Sequence, residues 1–292
     1  MDRQEIIEAV TRRVLEALEH QHGGCCSDCA GGCAACCSEE VRSVVGAGAC
    51  RISYCGNGGK VPSDLGQFID HTLLKPETTP ADIDQLCDEA LEFGFSAVCV
   101  NPVWVKRASQ RLRGSSVQVA SVVGFPLGAS APEIKAMEAR RAIRDGAREI
   151  DMVINIGALK GGEYDLVEKD IARVSDACKE VGALNKVIIE TALLNDQEKV
   201  IACRLALAGR AHYVKTSTGF SSGGATLFDV ALMREVVGPE IGVKASGGIK
   251  TTEDARRMID AGATRLGASA GIQIVKGIES SPDKEGEKSG GY

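Results

Sequence analysis

Apolar and polar positions fall into three successive patterns along the chain. In the first, Ile6, Val10, Val14 and Leu18 recur at four-residue spacing, flanked by Ile7 and Leu15, while Glu5, Glu8, Arg12, Arg13, Glu16 and Glu19 lie mostly elsewhere on the wheel. That period predicts an amphipathic helix within residues 1–22, marginal alone and needing a surface for its apolar stripe. In the second pattern, residues 23–61 are rich in Gly, Ser, Ala and Cys without periodicity, and read as a linker. From about Pro62 the texture changes to apolar, β-rich runs alternating with amphipathic stretches.

The runs are QFIDHTLL (67–74), SAVCVNP (96–102), VQVASVVGFP (117–126), EIDMVINIG (149–157), KVIIETALL (186–194), HYVKTSTG (212–219), IGVKASGG (241–248) and TRLGASAG (264–271). Helical patterning fills 132–146, 165–182, 196–209 and 252–262, each closing on a glycine as helix C-termini often do. Strands apolar on both faces and separated by helices predict an all-parallel sheet. Eight such units predict a (β/α)8 TIM barrel over 62–278, with a doubly wound open sheet as the lesser alternative. The polar tail, 279–292, is expected to be disordered.

Composition narrows the function. At 292 residues the chain fits one barrel plus extensions. No apolar run reaches the ~18 residues needed to span a bilayer, and a net charge of −6 argues against a nucleic-acid partner. The charged start of the chain is not a secretory signal, so a cytoplasmic location is the expectation, with mostly reduced cysteines. Eight of the twelve cysteines lie between Cys25 and Cys55; Cys87, Cys99, Cys178 and Cys203 read as small core residues. Cys26/Cys29 and Cys33/Cys36 form two CxxC pairs. Four thiolates could hold Zn²⁺ or an iron–sulfur cluster, but the spacer is far shorter than the ~12–20 residues of common zinc folds. A reduced linker or an oxidative crosslink between chains is the alternative.

Three charges interrupt the apolar strands: Lys215, Lys244 and Asp151. An unpaired ammonium is costly to bury, so it shifts its pKa or meets a partner, and a buried ion pair is the bland explanation. Two neighbouring ammonium groups disfavour each other's charge, and desolvation adds to that, giving a neutral amine able to attack a carbonyl. Asp151 could then move protons. The glycine-rich ends of the last two runs, Ser246–Gly247–Gly248 and Gly267–Ala268–Ser269–Ala270–Gly271, suit phosphate binding by backbone N–H groups, although glycines also simply make tight turns.

The strings IDHTLLKP, VCVNP, VVGFPLG, EIDMVINIG, YVKTSTGF, VKASGGI and RLGASAG, in this order, resemble the deoxyribose-phosphate aldolases over roughly residues 62–278. The resemblance implies a class I aldolase with Lys215 as the Schiff-base lysine, Lys244 perturbing its pKa and Asp151 as the proton relay. It further implies phosphate contacts from Gly219, Gly247, Gly248, Gly267 and Ser269, with Asp70 and Thr72 near substrate hydroxyls. The expected partners are a small sugar phosphate and further copies of the chain. No metal or other cofactor is expected in the barrel, since an iminium is itself the electron sink. Where some family members carry a lysine after KTSTG, this chain has Phe220. A Schiff-base aldolase for a different phosphorylated sugar, or a non-catalytic scaffold, are the alternative functions.

Ordinary members of that family begin close to the first strand, so residues 1–61 are an addition. The helix on its tether resembles the encapsulation peptides that bind shell proteins of bacterial microcompartments. A helix packed on its own barrel, or a coiled-coil dimerisation arm, is the plainer expectation.

Overall fold

The computed structural model describes residues 65–277. Strands β1 (Ile69–Leu73), β2 (Ala97–Val100), β3 (Gln118–Val123), β4 (Glu149–Val153), β5 (Leu184–Ile188), β6 (Tyr213–Lys215), β7 (Gly242–Ser246) and β8 (Arg265–Ala268) pair in sequence order, all parallel, and β8 closes on β1. Helices α1 (Pro80–Glu92), α2 (Val105–Arg111), α3 (Pro132–Asp145), α4 (Ile156–Lys160), α5 (Tyr164–Lys179), α6 (Asp196–Ala208), α7 (Leu227–Val237), α8 (Thr252–Asp260) and α9 (Gly271–Lys276) fill the connections. This is the expected (β/α)8 barrel. The amphipathic helix, the linker with Cys26, Cys29, Cys33 and Cys36, and the tail lie outside the described residues. Among the described residues no helix is long and apolar enough to cross a membrane.

Local chemistry sets the helix ends. Thr79 with Asp82, Asn195 with Glu198 and Thr251 with Asp254 form reciprocal capping boxes that start α1, α6 and α8. Gly146 ends α3 in the left-handed region, φ 118°, as a C-terminal glycine should. Gly182 (φ 70°) and Gly262 (φ 108°) close α5 and α8 in the same way: their N–H groups donate to the Lys179 and Ile259 carbonyls, and the next residues, Ala183 and Ala263, donate to those of Cys178 and Met258. A buried pair, Lys135 Nζ to Asp170 Oδ2 at 2.5 Å, ties α3 to α5, and Lys135 also donates to the Val153 carbonyl at the end of β4.

Alternation along the strands divides the molecule into two interiors. Ile69, Val98, Ile150, Val187, Val214, Val243 and Leu266 belong to the large core shared with the helices. The alternate residues face into the barrel. On β2 and β3 that inner face is small and apolar, with Cys99, Ala120 and Val122 clustering with Leu74 just past the end of β1 and carrying Phe125. Around the rest of the circle it is charged. Strand β5 is displaced from its expected position: the strand is 184–188 rather than 186–194, and the backbone turns away at Glu190 into a 3₁₀ turn, Thr191–Leu193. Lys186 therefore stands in the middle of a strand.

Candidate active site

Barrel interiors are ordinarily filled by layers of branched apolar side chains. Here one side holds seven ionisable groups. Lys186 Nζ donates to Asp70 Oδ2 (3.1 Å), to Asp151 Oδ1 (2.9 Å) and to Glu149. Lys244 Nζ donates to Asp70 Oδ2 (2.5 Å) and Asp151 Oδ2 (2.8 Å). Arg265 donates to Asp70 Oδ1 (2.7 Å) and to Glu149 (3.3 Å). Lys215 Nζ meets a single carboxylate, Asp151 Oδ2, at 2.9 Å. Strand register builds this: Lys215 lies beside Lys244, and Asp151 beside Lys186.

Charge balance singles out one lysine. Lys186, Lys215, Lys244 and Arg265 face Asp70, Glu149 and Asp151, four cations against three carboxylates, all nearly or wholly buried. An uncompensated buried charge is strongly unfavourable, so the cluster is balanced when one cation gives up its proton. Lys215 has the least to lose, with one ion-pair partner against two for Lys244 and three for Lys186. Burial pushes Lys215 below the ordinary lysine range; Asp151 pulls the other way and Lys244 adds to the depression. Burial thus exceeds the neighbouring ammonium that sequence reasoning put first. Burial also opposes charge on Lys244 and Lys186, but the carboxylates around them override it and hold both above the ordinary value. Asp151, which burial alone would raise, is held well below it by Lys186, Lys215 and Lys244.

Lys215 is the last residue of β6, at the barrel's C-terminal face, where parallel barrels carry their chemistry. Glycines open the space around it. A Cβ on Gly267 would sit 2.5 Å from Ser246 Oγ and 3.0 Å from Lys244 Cε, so Gly267 makes room for Lys244. Gly247, at φ 87°, touches Gly224 backbone to backbone, packing the loop after β6 onto the loop after β7. Gly219, Gly248 and Ser269 follow β6, β7 and β8 on the same face. Asp70 is engaged within the charge cluster, and Thr72 donates its hydroxyl to the Asp70 carbonyl. Thr72 and Ser269 line one wall of a cleft of about 350 Å³, together with His71, Lys75 and Glu89. Phe220, in the loop after β6, is exposed and lies edge-on to Phe125 at 5.3 Å. The thiol of Cys99 lies 3.9 Å from Asp151, and burial pushes it up to about 11.

Lys215, Lys244 and Asp151 are therefore in one contact network. Sequence reasoning missed Lys186, Glu149 and Arg265, which stand at or near the starts of their apolar runs, where a charge reads as a strand boundary. Parity was the available signal: Glu149 is two residues from Asp151, so both face inward.

A closed parallel barrel with a buried lysine and carboxylate cluster opening at its C-terminal face defines an α/β-barrel aldolase. The family model for DeoC/LacD family aldolase matches residues 65–278, and the chain belongs to that family. It is 61% identical over 220 residues to a deoxyribose-phosphate aldolase of Macrococcus caseolyticus, covering 75% of this chain and 99% of that one. It is 60% identical over 215 residues to one from Lysinibacillus sphaericus, covering 74% and 96%. Among solved structures, a putative deoxyribose-phosphate aldolase from Coccidioides immitis is 42% identical with TM-score 0.72, over 82% of this chain and 96% of that one. The tetrameric deoxyribose phosphate aldolase of Aeropyrum pernix is 30% identical with TM-score 0.70, over 81% and 95%.

Proposed function

We propose that this chain catalyses the reversible cleavage of 2-deoxy-D-ribose 5-phosphate to D-glyceraldehyde 3-phosphate and acetaldehyde through a Schiff base on Lys215. The observation that carries the mechanism is the four-to-three charge count, with Lys215 the least compensated cation. The names of the relatives support the substrate.

The neutral Lys215 amine adds to the C1 carbonyl, and loss of water from the carbinolamine gives an iminium. Removal of the C3 hydroxyl proton then breaks C2–C3, and the bond's electrons pass into the iminium to form an enamine. Glyceraldehyde 3-phosphate leaves, C2 is protonated, and water hydrolyses the iminium to acetaldehyde and free Lys215. Asp151, within 2.9 Å of Lys215 and 2.8 Å of Lys244, is the group that shuttles protons between them. Lys244 keeps Asp151 ionised and Lys215 short of a proton. Gly219, Gly247, Gly248, Gly267 and Ser269 are assigned to the phosphate end, and Asp70 and Thr72 to the hydroxyl side. Release of acetaldehyde from 2-deoxyribose 5-phosphate tests the reading; no release, with turnover of another sugar phosphate, would replace it. That second reading has one observation behind it, the aromatic Phe220 where some relatives place a lysine.

The tetramer described for the A. pernix relative supports a homo-oligomer here. The pattern of residues 1–22 supports docking to shell proteins of a microcompartment, within which a volatile aldehyde would be retained. Fusing residues 1–22 to a fluorescent protein tests this: shell-dependent puncta are expected, and diffuse fluorescence beside assembled shells would refute it.

A further inference from the structure

Glu190 is a buried acid outside the lysine cluster, and its backbone is unusual. It lies just past the end of β5 with φ 58° and ψ 66°, a left-handed conformation unfavourable for a residue with a side chain. That conformation carries its carboxyl across to the loop after β6. There Oε2 accepts from the Thr218 hydroxyl (2.5 Å) and from the Thr218 N–H (3.2 Å). The Thr218 hydroxyl oxygen in turn accepts from the Phe220 N–H at 3.1 Å. One carboxyl thus fixes the turn at residues 218–220, whose central residue, Gly219, is left-handed at φ 87°.

The backbone beneath this link is equally constrained. Ile189 N–H donates to the Lys215 carbonyl, and Thr191 N–H to the Thr216 carbonyl, so the ends of β5 and β6 are laced on both sides of Glu190. The second oxygen, Oε1, is buried and has no hydrogen-bond partner. A carboxylate with one bare buried oxygen is poorly solvated, whereas a neutral acid keeps the accepting oxygen and carries its proton on the other. Burial accordingly pushes the Glu190 carboxyl above its ordinary range, against the pull of Thr218 and of the Lys215 charge.

We propose that Glu190 is a positioning residue: by holding Thr218 it sets the turn around Gly219, and so governs how tightly the phosphate end of the substrate is held while leaving the Lys215 chemistry untouched. The inference rests on the reading above that places the phosphate at Gly219. A structural role alone would lower activity toward every substrate alike. A positioning role acts only where a phosphate is present.

The test compares 2-deoxyribose 5-phosphate with unphosphorylated 2-deoxyribose, using the full chain. Glu190→Ala should raise KM for the phosphorylated sugar about tenfold, the scale of one lost buried hydrogen bond, with kcat little changed and KM for 2-deoxyribose unaltered. Glu190→Gln keeps the accepting oxygen and should restore KM to near the parent value. Equal KM rises for both sugars, a fall confined to kcat, or no rescue by Gln would overturn the proposal. Thr218→Val removes the hydroxyl from the other side of the link and leaves the Glu190 carboxyl and the Thr218 N–H in place, so it decides the matter if Glu190→Ala fails to fold: a phosphate-specific KM rise supports the proposal and an unchanged KM overturns it. If it is the reading that this face binds phosphate which fails, the failure looks different. The unmodified enzyme would then show no preference for the phosphorylated sugar and no competitive inhibition by inorganic phosphate.

Discussion

Lys186, Lys244 and Lys215 meet three, two and one carboxylates respectively, and this gradient gives the three lysines different consequences on removal. Lys215→Ala should abolish aldol cleavage, and borohydride with substrate should fix a stable adduct on Lys215 of the parent enzyme; an active Lys215→Ala enzyme would sink the mechanism. Stability should follow the opposite order. Lys186→Met leaves Asp70, Glu149 and Asp151 short of a buried partner, a loss of about 3–5 kcal/mol and roughly 10 °C in Tm. Lys215→Met removes the surplus cation while Lys186 and Lys244 still hold Asp151, so its Tm should stay near or above the parent's. Thermal melts of the two variants side by side check this, and a Lys215→Met protein less stable than Lys186→Met would contradict the charge count.

At the scale of elements, β6, β7 and β8 act together. Lys215 and Lys244 are register partners, and the bare Cα of Gly267 gives Lys244 its space. Replacing Lys244 by Met takes a like charge from Lys215 and leaves Asp151 one fewer competing cation. Both changes raise the Lys215 pKa. Because the attacking form is the neutral amine, the rising limb of kcat/KM should move to higher pH, by about one unit or more; an unmoved limb would show that Lys244 does not tune Lys215. Gly267→Ala should act in the same direction by displacing Lys244, visible as lost activity in a protein that still folds. These strands also show what the sequence made readable. The apolar runs of β6 and β7 flagged Lys215 and Lys244 because each follows directly on apolar strand residues, Val214 and Val243. Lys186 escapes because the apolar run opens on it, leaving Leu184 and Asn185 outside, and Arg265 and Glu149 because strand starts tolerate charge. Which charge reaches which carboxylate depends on barrel closure, which brings Arg265 of β8 against Glu149 of β4.

For the whole molecule, the buried cluster couples folding to pH. Cations hold Asp70 and Asp151 below the ordinary carboxylate value of 3.8, even though burial alone would raise both. Their stabilisation is therefore fully present above that value and is lost as pH falls below it, because the unfolded chain takes up protons first. The urea midpoint should hold near neutrality and drop between about pH 5 and pH 3; a midpoint flat across that range would mean the cluster is not ionised as described. By itself the sequence determined the alternation of strands and helices, hence the parallel barrel, because burial on both faces leaves continuous apolar runs that local pattern records. It also determined that Lys215, Lys244 and Asp151 are out of place in such runs, and the strings around them carried the family. The tertiary structure alone decided that seven charges share one interior, that Lys215 is the cation left over, and that Glu190 reaches the turn after β6. Those facts depend on contacts between residues from 28 to 195 positions apart, set by register and closure, which no local pattern encodes.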